Sequence, residues 1–366
     1  MAAHPAPGGP DPALFANLLC DWCVEPQAGQ QVLVSSTSLA APLLLELQRA
    51  LLERGAWPLL RIGLPGQEEG FWAAAREAHV DGFAPLGLTE VEGADCSIGI
   101  QAPDNTRALT GVPPDRLARA ARARRPLREA RMRRRWCATL WPTPALAQQA
   151  SMSLGDFSSF VRRALFLDRE DPVAAWRELG RFQAGLVERL SQADELRLEA
   201  AGTDLHLRVG GRTWINSDGR RNMPSGEVFT GPHERSATGR VSFTVPASPG
   251  GVEVSGVQLE LRDGEVVEAR AEHGEDYLRQ ILATDDGARR LGELGVGTNF
   301  GIDRPVGSIL LDEKIGGTVH VALGRSYPET GGVNESAVHW DLICDLREGG
   351  RLTADGEVVQ EDGSFH

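Results

Sequence analysis

The sequence predicts an α/β domain with a parallel sheet followed by a β-rich, α+β domain. Over residues 1–190, short β-branched runs alternate with segments of helical length and spacing, the mark of βαβ units. After Ala193 the apolar period drops to two, punctuated by Gly202, Gly210-Gly211 and Asp218-Gly219 as turn signals. A length of 366 residues also exceeds what one hydrophobic core ordinarily serves. The boundary falls near residue 190, giving domains 1–190 and 191–366.

Taken in order, DPALFANLLCDWCV (11–24) has apolar residues at helical spacing, with Asp11 as N-cap and Pro12 in the first turn. Cys20 and Cys23 form a C-x-x-C inside this helix, not after a strand, which favours packing over redox chemistry. QQVLVSS (30–36), a helix over 41–54 and the run Trp57 to Ile62 make one βαβ unit, which a helix over 68–78 and CSIGIQA (96–102) extend. Ten arginines follow between Arg116 and Arg135, opposed only by Glu129. Because the whole chain is acidic, they read as a solvated helix face pairing with the acidic half of this chain or of a neighbouring subunit; an anion or nucleic-acid patch is the alternative. Trp141-Pro142-Thr143-Pro144 marks a strand-to-helix corner, Ser153 with Asp156 starts a helix, and a long helix runs from Pro172 to Ser191. Beyond it, ELRLEAAGTDLHLRVGG, GRVSFTVPA, GVEVSGVQLELRDG and EVVEARAEHG read as strands, with Asp263-Gly264 as a hairpin turn and one helical insertion over 275–291.

The net charge of −13 is uneven: residues 201–366 hold 27 acidic and 16 basic side chains, net −11, and residues 1–200 hold 24 and 22, net −2. The second half therefore suits cations and repels a phosphate backbone. MAAHPAPGGPDP shows no basic and apolar signal pattern, and no run is long and apolar enough to span a bilayer. Five cysteines at irregular spacing argue against a disulfide framework and for a reducing cytoplasm.

The acidic half concentrates metal-ligating groups. Within Asp312 to Asp341 lie Glu313, His320, Glu329, Glu335, His339 and Asp341, together with Tyr327, one of only two tyrosines. Lys314 is the only lysine, beside 37 arginines, which suggests a place where a compact ammonium is needed and a guanidinium fork will not serve. Glu227 and His233 stand on a strand leaving a Pro-Ser-Gly turn, and Glu293 stands at the end of a helix before a Gly-rich turn. Glu313 and His320 share a strand interrupted at Gly316-Gly317, and His339 and Asp341, two apart, point to one face of another. Carboxylates and imidazoles without thiolates are what Zn, Co, Mn or Mg take at catalytic positions; a structural zinc module would be thiolate-rich. No nucleotide-binding P-loop, serine-hydrolase elbow or H-E-x-x-H occurs.

In this order, SGEVFTGPHE, LGELGVGTN, LLDEKIGGTVHVALGRSYPETGG and NESAVHWDLI resemble the metallo-aminopeptidase family of aminopeptidase T and aminopeptidase S. The likeness is closest over 222–350, and WPTPALAQ is its clearest piece in the first half. It implies two divalent metal ions held by Glu227, Glu293, Glu313, His320, His339 and Asp341, with Tyr327 catalytic beside them and Lys314 able to add positive charge there. It also implies an N-terminal α/β domain, a β-rich catalytic domain, a homodimer, and peptides with a free N-terminus as substrates, cleaved by metal-activated water. The rival readings are a non-catalytic metal-binding protein and a binder of anions through Arg116 to Arg135.

Overall fold

The computed structural model of the protein describes residues 8–247 and 252–366. Residues 1–7, part of the N-terminal stretch read above for targeting signals, and residues 248–251, which include the first residue of GVEVSGVQLELRDG, lie outside them. The chain divides into two compact units: the described residues up to Ala175 together with Gly219–Pro224, and Trp176–Asp218 together with those from Ser225 onward. The helix Pro172–Leu190 thus groups with the second unit from Trp176 on. The architecture is the predicted one, a parallel sheet with helices and then β-rich sheets.

In the first unit, five strands lie parallel in the order Trp57–Gly63, Gln31–Thr37, Cys96–Gln101, Arg135–Leu140, Asn222–Met223. Val32 and Val34 on one face of the strand Gln31–Thr37 and Leu33 on the other are all buried, as expected of a strand covered on both faces. Asp11 caps the first helix, its Oδ1 accepting the N–H groups of Ala13 and Leu14, both at 2.9 Å. That helix passes at Leu19 into a π-helical turn, Leu19–Val24, which carries Cys20 and Cys23, both buried. Burial pushes the Cys20 thiol up to about 12, an inert state for a thiol. The single helix expected over 68–78 is two, Gln67–Ala74 and Glu77–Val80. The arginine stretch also departs from expectation. Arg119 joins Glu77 at 2.6 Å and Asp81 at 2.5 Å, and Arg125 joins Glu129 at 2.5 Å, so these partners belong to the first unit and not to the acidic half.

The second unit contains an eight-stranded and a five-stranded antiparallel sheet. The five-stranded one runs in the order His339–Asp345, Thr318–Gly324, Leu291–Gly297, Glu227–Thr230, Ile215–Ser217. One apolar cluster joins the two sheets, with Leu196, Leu198, Leu205 and Leu207 from one and Leu294, Val296, Val319 and Val321 from the other. The Asp263-Gly264 turn has φ of 49° and 77°, the left-handed pair that a two-residue hairpin needs. On the strand Thr203–Arg208 of the eight-stranded sheet buried and exposed residues alternate, but in Leu291–Gly297 and Thr318–Gly324 every residue is buried. One face of these two strands meets the apolar core. The other carries the carboxylates and imidazoles.

Two placements differ from the sequence reading. The helical insertion ends at Leu282, followed by a short turn Asp286–Arg289, so Glu293 lies inside a strand and not at the end of a helix. Glu313 follows a four-residue helix, Ile309–Asp312, and sits in the turn before the strand that holds His320.

Candidate active site

Strand register brings the site together. Glu293 pairs with Ala322, Ala322 with Asp341, Gly295 with His320, and Gly297 with Glu227, so side chains from neighbouring strands converge on one face of the sheet. Glycines make room for them. A Cβ on Gly295 would stand 2.0 Å from Cε1 of His320, so the imidazole lies flat over the backbone there.

Each histidine is oriented by a backbone carbonyl. His320 Nδ1 is 3.0 Å from the Glu313 oxygen and His339 Nδ1 is 2.8 Å from the Arg325 oxygen, and because a carbonyl only accepts, both rings donate from Nδ1. The other nitrogen of a neutral ring is then an acceptor. His320 Nε2 faces Glu293 Oε1 at 3.2 Å and Glu227 Oε2 at 3.7 Å; His339 Nε2 faces Glu293 Oε2 and Asp341 Oδ1, each at 3.6 Å. With both rings neutral, acceptors thus oppose acceptors across a buried space. Glu227 Oε2, Glu293 Oε2 and Asp341 Oδ1 are buried without any hydrogen-bond partner. This arrangement fits bound cations, which satisfy carboxylate and imidazole lone pairs at once. Three overlapping ligand groups fall within reach of an ion: Glu227, Glu293 and His320; Glu293, His339 and Asp341; and Glu313, His320 and Asp341.

The electrostatics agree. Burial, followed by repulsion from Glu313 and Glu293, raises the Glu227 carboxyl against the pull of Lys314 and His320. Asp341 is raised by burial and by Glu313 and Glu293. Burial disfavours an imidazolium at His320, yet Glu293, Glu227 and Asp341 outweigh it and push the ring up to about 10. A cluster that takes up protons in this way is one that cations stabilise in their place.

Lys314 is fully buried, not a surface partner: Nζ lies against Glu313 Oε1 and 3.5 Å from Glu227 Oε1, which hold its pKa above the usual lysine value despite burial. The Tyr327 ring meets His339 edge-on at 5.0 Å and Phe229 at 5.8 Å. Burial first, and then Glu293, Asp341 and Glu313, keep its phenol protonated well above the ordinary range. His233 is not part of the cluster; its Nε2 lies 2.8 Å from the Gly210 carbonyl. Glu329 and Glu335 are exposed.

The model of the thermophilic metalloproteases (M29) matches residues 13–365. The chain belongs to this family. Among M29 relatives it is 33% identical to Aminopeptidase 2 of Geobacillus stearothermophilus, over 95% of this chain and 94% of that one. To Aminopeptidase T of Thermus thermophilus it is 34% identical, over 70% of this chain and 71% of that one. The solved structure of wild-type AmpT from Thermus thermophilus superposes with a TM-score of 0.85 at 26% identity, covering 97% of this chain and 98% of that one.

The sequence reading missed two supports of this M29 site. Gln183, fully buried on the helix Pro172–Leu190, donates to the Glu227 carbonyl at 2.7 Å and fixes that strand end. It lies on the apolar stripe of that helix with Trp176, Leu179, Leu186 and Leu190, so a lone amide at a core position was the signal that could have found it. Arg212, whose side chain is 8% exposed, joins Glu234 Oε2 at 2.8 Å and donates to the Gly331 carbonyl, while Glu234 Oε1 accepts the Val333 N–H at 2.8 Å. This pair anchors the loop that follows Tyr327. Glu234→Ala is expected to cost about 2 to 3 kcal/mol, below the range for a fully buried pair because the Glu234 side chain is 20% exposed. Burial raises the Glu234 carboxyl, but the backbone hydrogen bonds and Arg212 outweigh it and hold it below its ordinary value. Its stabilisation is therefore complete above the unfolded value of about 4.3 and lost as pH falls through the lower folded one. Urea unfolding at pH 7 and pH 3 checks both: the gap between wild type and variant should shrink at pH 3, and a constant gap would exclude the ion pair as its source.

Proposed function

We propose that the chain is a dinuclear metallo-aminopeptidase that removes the first residue from peptides with a free N-terminus. The M29 metalloprotease match and relatives named aminopeptidases support the activity. One observation carries the two-ion reading: the oxygens of Glu293 face different imidazoles, Oε1 toward His320 at 3.2 Å and Oε2 toward His339 at 3.6 Å. Glu293 would serve both ions, one held with Glu227 and His320 and the other with His339 and Asp341, and Glu313 would be a further ligand. The four carboxylates balance two divalent charges, and the donor types suit Zn, Co, Mn or Mg.

Once bound, such ions lower the pKa of water from about 15.7 toward 7 and polarise the first peptide carbonyl. The chain's own side chains supply the rest. Tyr327 keeps its proton and can donate a hydrogen bond to the oxyanion that forms when the carbonyl becomes tetrahedral. Lys314 holds an oxygen of Glu227 and one of Glu313, positioning both and offsetting their repulsion. The substrate's α-amino group, with a pKa of about 7.7 to 8.0, is partly neutral amine near pH 8, a form that a bound ion would accept as a ligand, and this would anchor the substrate by its first residue.

An acetylated N-terminus has no amine lone pair to make that anchor, so kcat/KM should fall by at least about 10²-fold. Amino-acid release from matched free and N-acetylated peptides, by protein reloaded with Co²⁺, Zn²⁺, Mn²⁺ or Mg²⁺, tests this; equal rates, or first cuts in the peptide interior, would overturn the exopeptidase reading. The same reading includes a homodimer in the cytoplasm. Light scattering at twice the chain mass of 39.4 kDa would support the dimer, and a monomer mass would remove it. No helix among the described residues is long and apolar enough to cross a membrane.

A further inference from the structure

A cavity of about 360 Å³ opens beside the cluster, at the edge strand of the site sheet. His339, Asp341 and Ile343 line it from alternate positions of that strand, so its inner end is formed by two of the groups assigned to the metals. Ile343 carries the same face on as apolar surface. Val245 and Pro246 supply a second wall, from the segment after the strand Thr238–Phe243. Ile309, at the start of the helix that leads into Glu313, stands at the rim and is 48% exposed, an unusual degree for isoleucine.

One further carboxylate borders the cavity, that of Asp312, and it is committed elsewhere. Its Oδ1 accepts the Val306 N–H at 2.8 Å, and the Gly307 and Ser308 backbone also hydrogen-bond to it, so it ties down the turn before the helix. Among the described residues, the cavity therefore offers apolar walls and no spare counter-ion for a basic side chain. It would repel an acidic one. A substrate anchored by its α-amino group beside the metals sets its first side chain against a neighbouring space, and this cavity borders His339 and Asp341 directly.

We propose that the cavity receives the side chain of the substrate's first residue and selects apolar side chains of leucine or methionine size. This rests on the aminopeptidase reading, and it narrows the substrate class of that same site. Three carbons distinguish leucine from alanine, so their transfer into the cavity sets a Leu-over-Ala preference of at least about 10-fold in kcat/KM. Arginine, whose guanidinium finds no free partner, falls below leucine, and glutamate below both.

The test uses metal-reloaded full-length protein and dipeptides that differ only in the first residue. Wild type should prefer Leu over Ala by at least about 10-fold, and Ile309→Asp, which adds a carboxylate at an exposed position, should raise the Arg-over-Leu ratio by about 10-fold or more. Equilibrium dialysis gives a second readout without turnover: free L-leucine should bind at least about 10-fold more tightly than glycine, and Ile309→Asp should abolish the difference. Equal rates for Leu and Ala, a ratio unmoved by Ile309→Asp, or equal binding of leucine and glycine would each overturn the assignment. If no peptide is cleaved at all, the aminopeptidase reading fails, and the dialysis still decides the cavity.

Discussion

Glu293→Gln is expected to leave the protein folded but unable to gain stability from added metal. Glu293 faces both histidines, and its Oε2 is buried with no hydrogen-bond partner. A glutamine amide removes one negative charge from the cluster and can donate to one Nε2 lone pair, so the metal-free variant should melt no lower than metal-free wild type. Wild type, by contrast, should be stabilised by about 2.7 kcal/mol when metal is present at 100 times its dissociation constant. In the variant, metal affinity should drop by at least about 10²-fold and activity with it, since a carboxylate shared by two ions is lost from both. Thermal melts with and without Co²⁺ or Zn²⁺, together with elemental analysis after dialysis, give the answer. A variant that keeps two ions per chain and the full metal-induced shift would remove Glu293 from the bridge.

Tyr327→Phe is expected to separate chemistry from binding. The ring is held edge-on by Phe229 and His339, and phenylalanine preserves both contacts. Metal content and melting temperature should therefore match wild type. Only the hydroxyl is lost, and with it a hydrogen-bond donor toward developing negative charge, so kcat should fall by about 10² to 10³-fold while KM changes little. Wild-type turnover in a metal-replete variant would exclude the role.

Much of this site was legible because its chemistry is concentrated in sequence. The two-residue spacing of His339 and Asp341 gave their shared face, and a single lysine among arginines marked a position that proved to be fully buried between two glutamates. Glu293 was misplaced for a physical reason. LGELGVG looks like a turn, yet its glycines answer to close approach: a Cβ on Gly292 would stand 2.3 Å from the Gly324 oxygen, and one on Gly297 would stand 2.1 Å from the Ile315 oxygen. Several glycines within one strand can thus mark backbone pressed against neighbouring groups, a reading that would have placed Glu293 correctly. Glu313 escaped because a four-residue helix has no periodicity to detect. The partners of Gln183 and of the Arg212–Glu234 pair are backbone carbonyls and N–H groups far away in sequence, which no local pattern encodes, although the place of Gln183 on an apolar helix stripe marked it as buried.

The short segment Gly219–Pro224 bears on how the protein is made. It belongs to the first unit, where Asn222–Met223 completes the parallel sheet beside Arg135–Leu140, yet it is synthesised after residues 176–218 of the second. On the ribosome the first sheet therefore waits for its last strand until some forty residues of its neighbour have emerged, as the lengths 176–218 dictate. The two units cannot mature strictly one after the other. A cut in the chain near residue 175 would likewise leave that strand on the wrong fragment, so the halves are expected to refold together from a nicked chain more readily than either does alone.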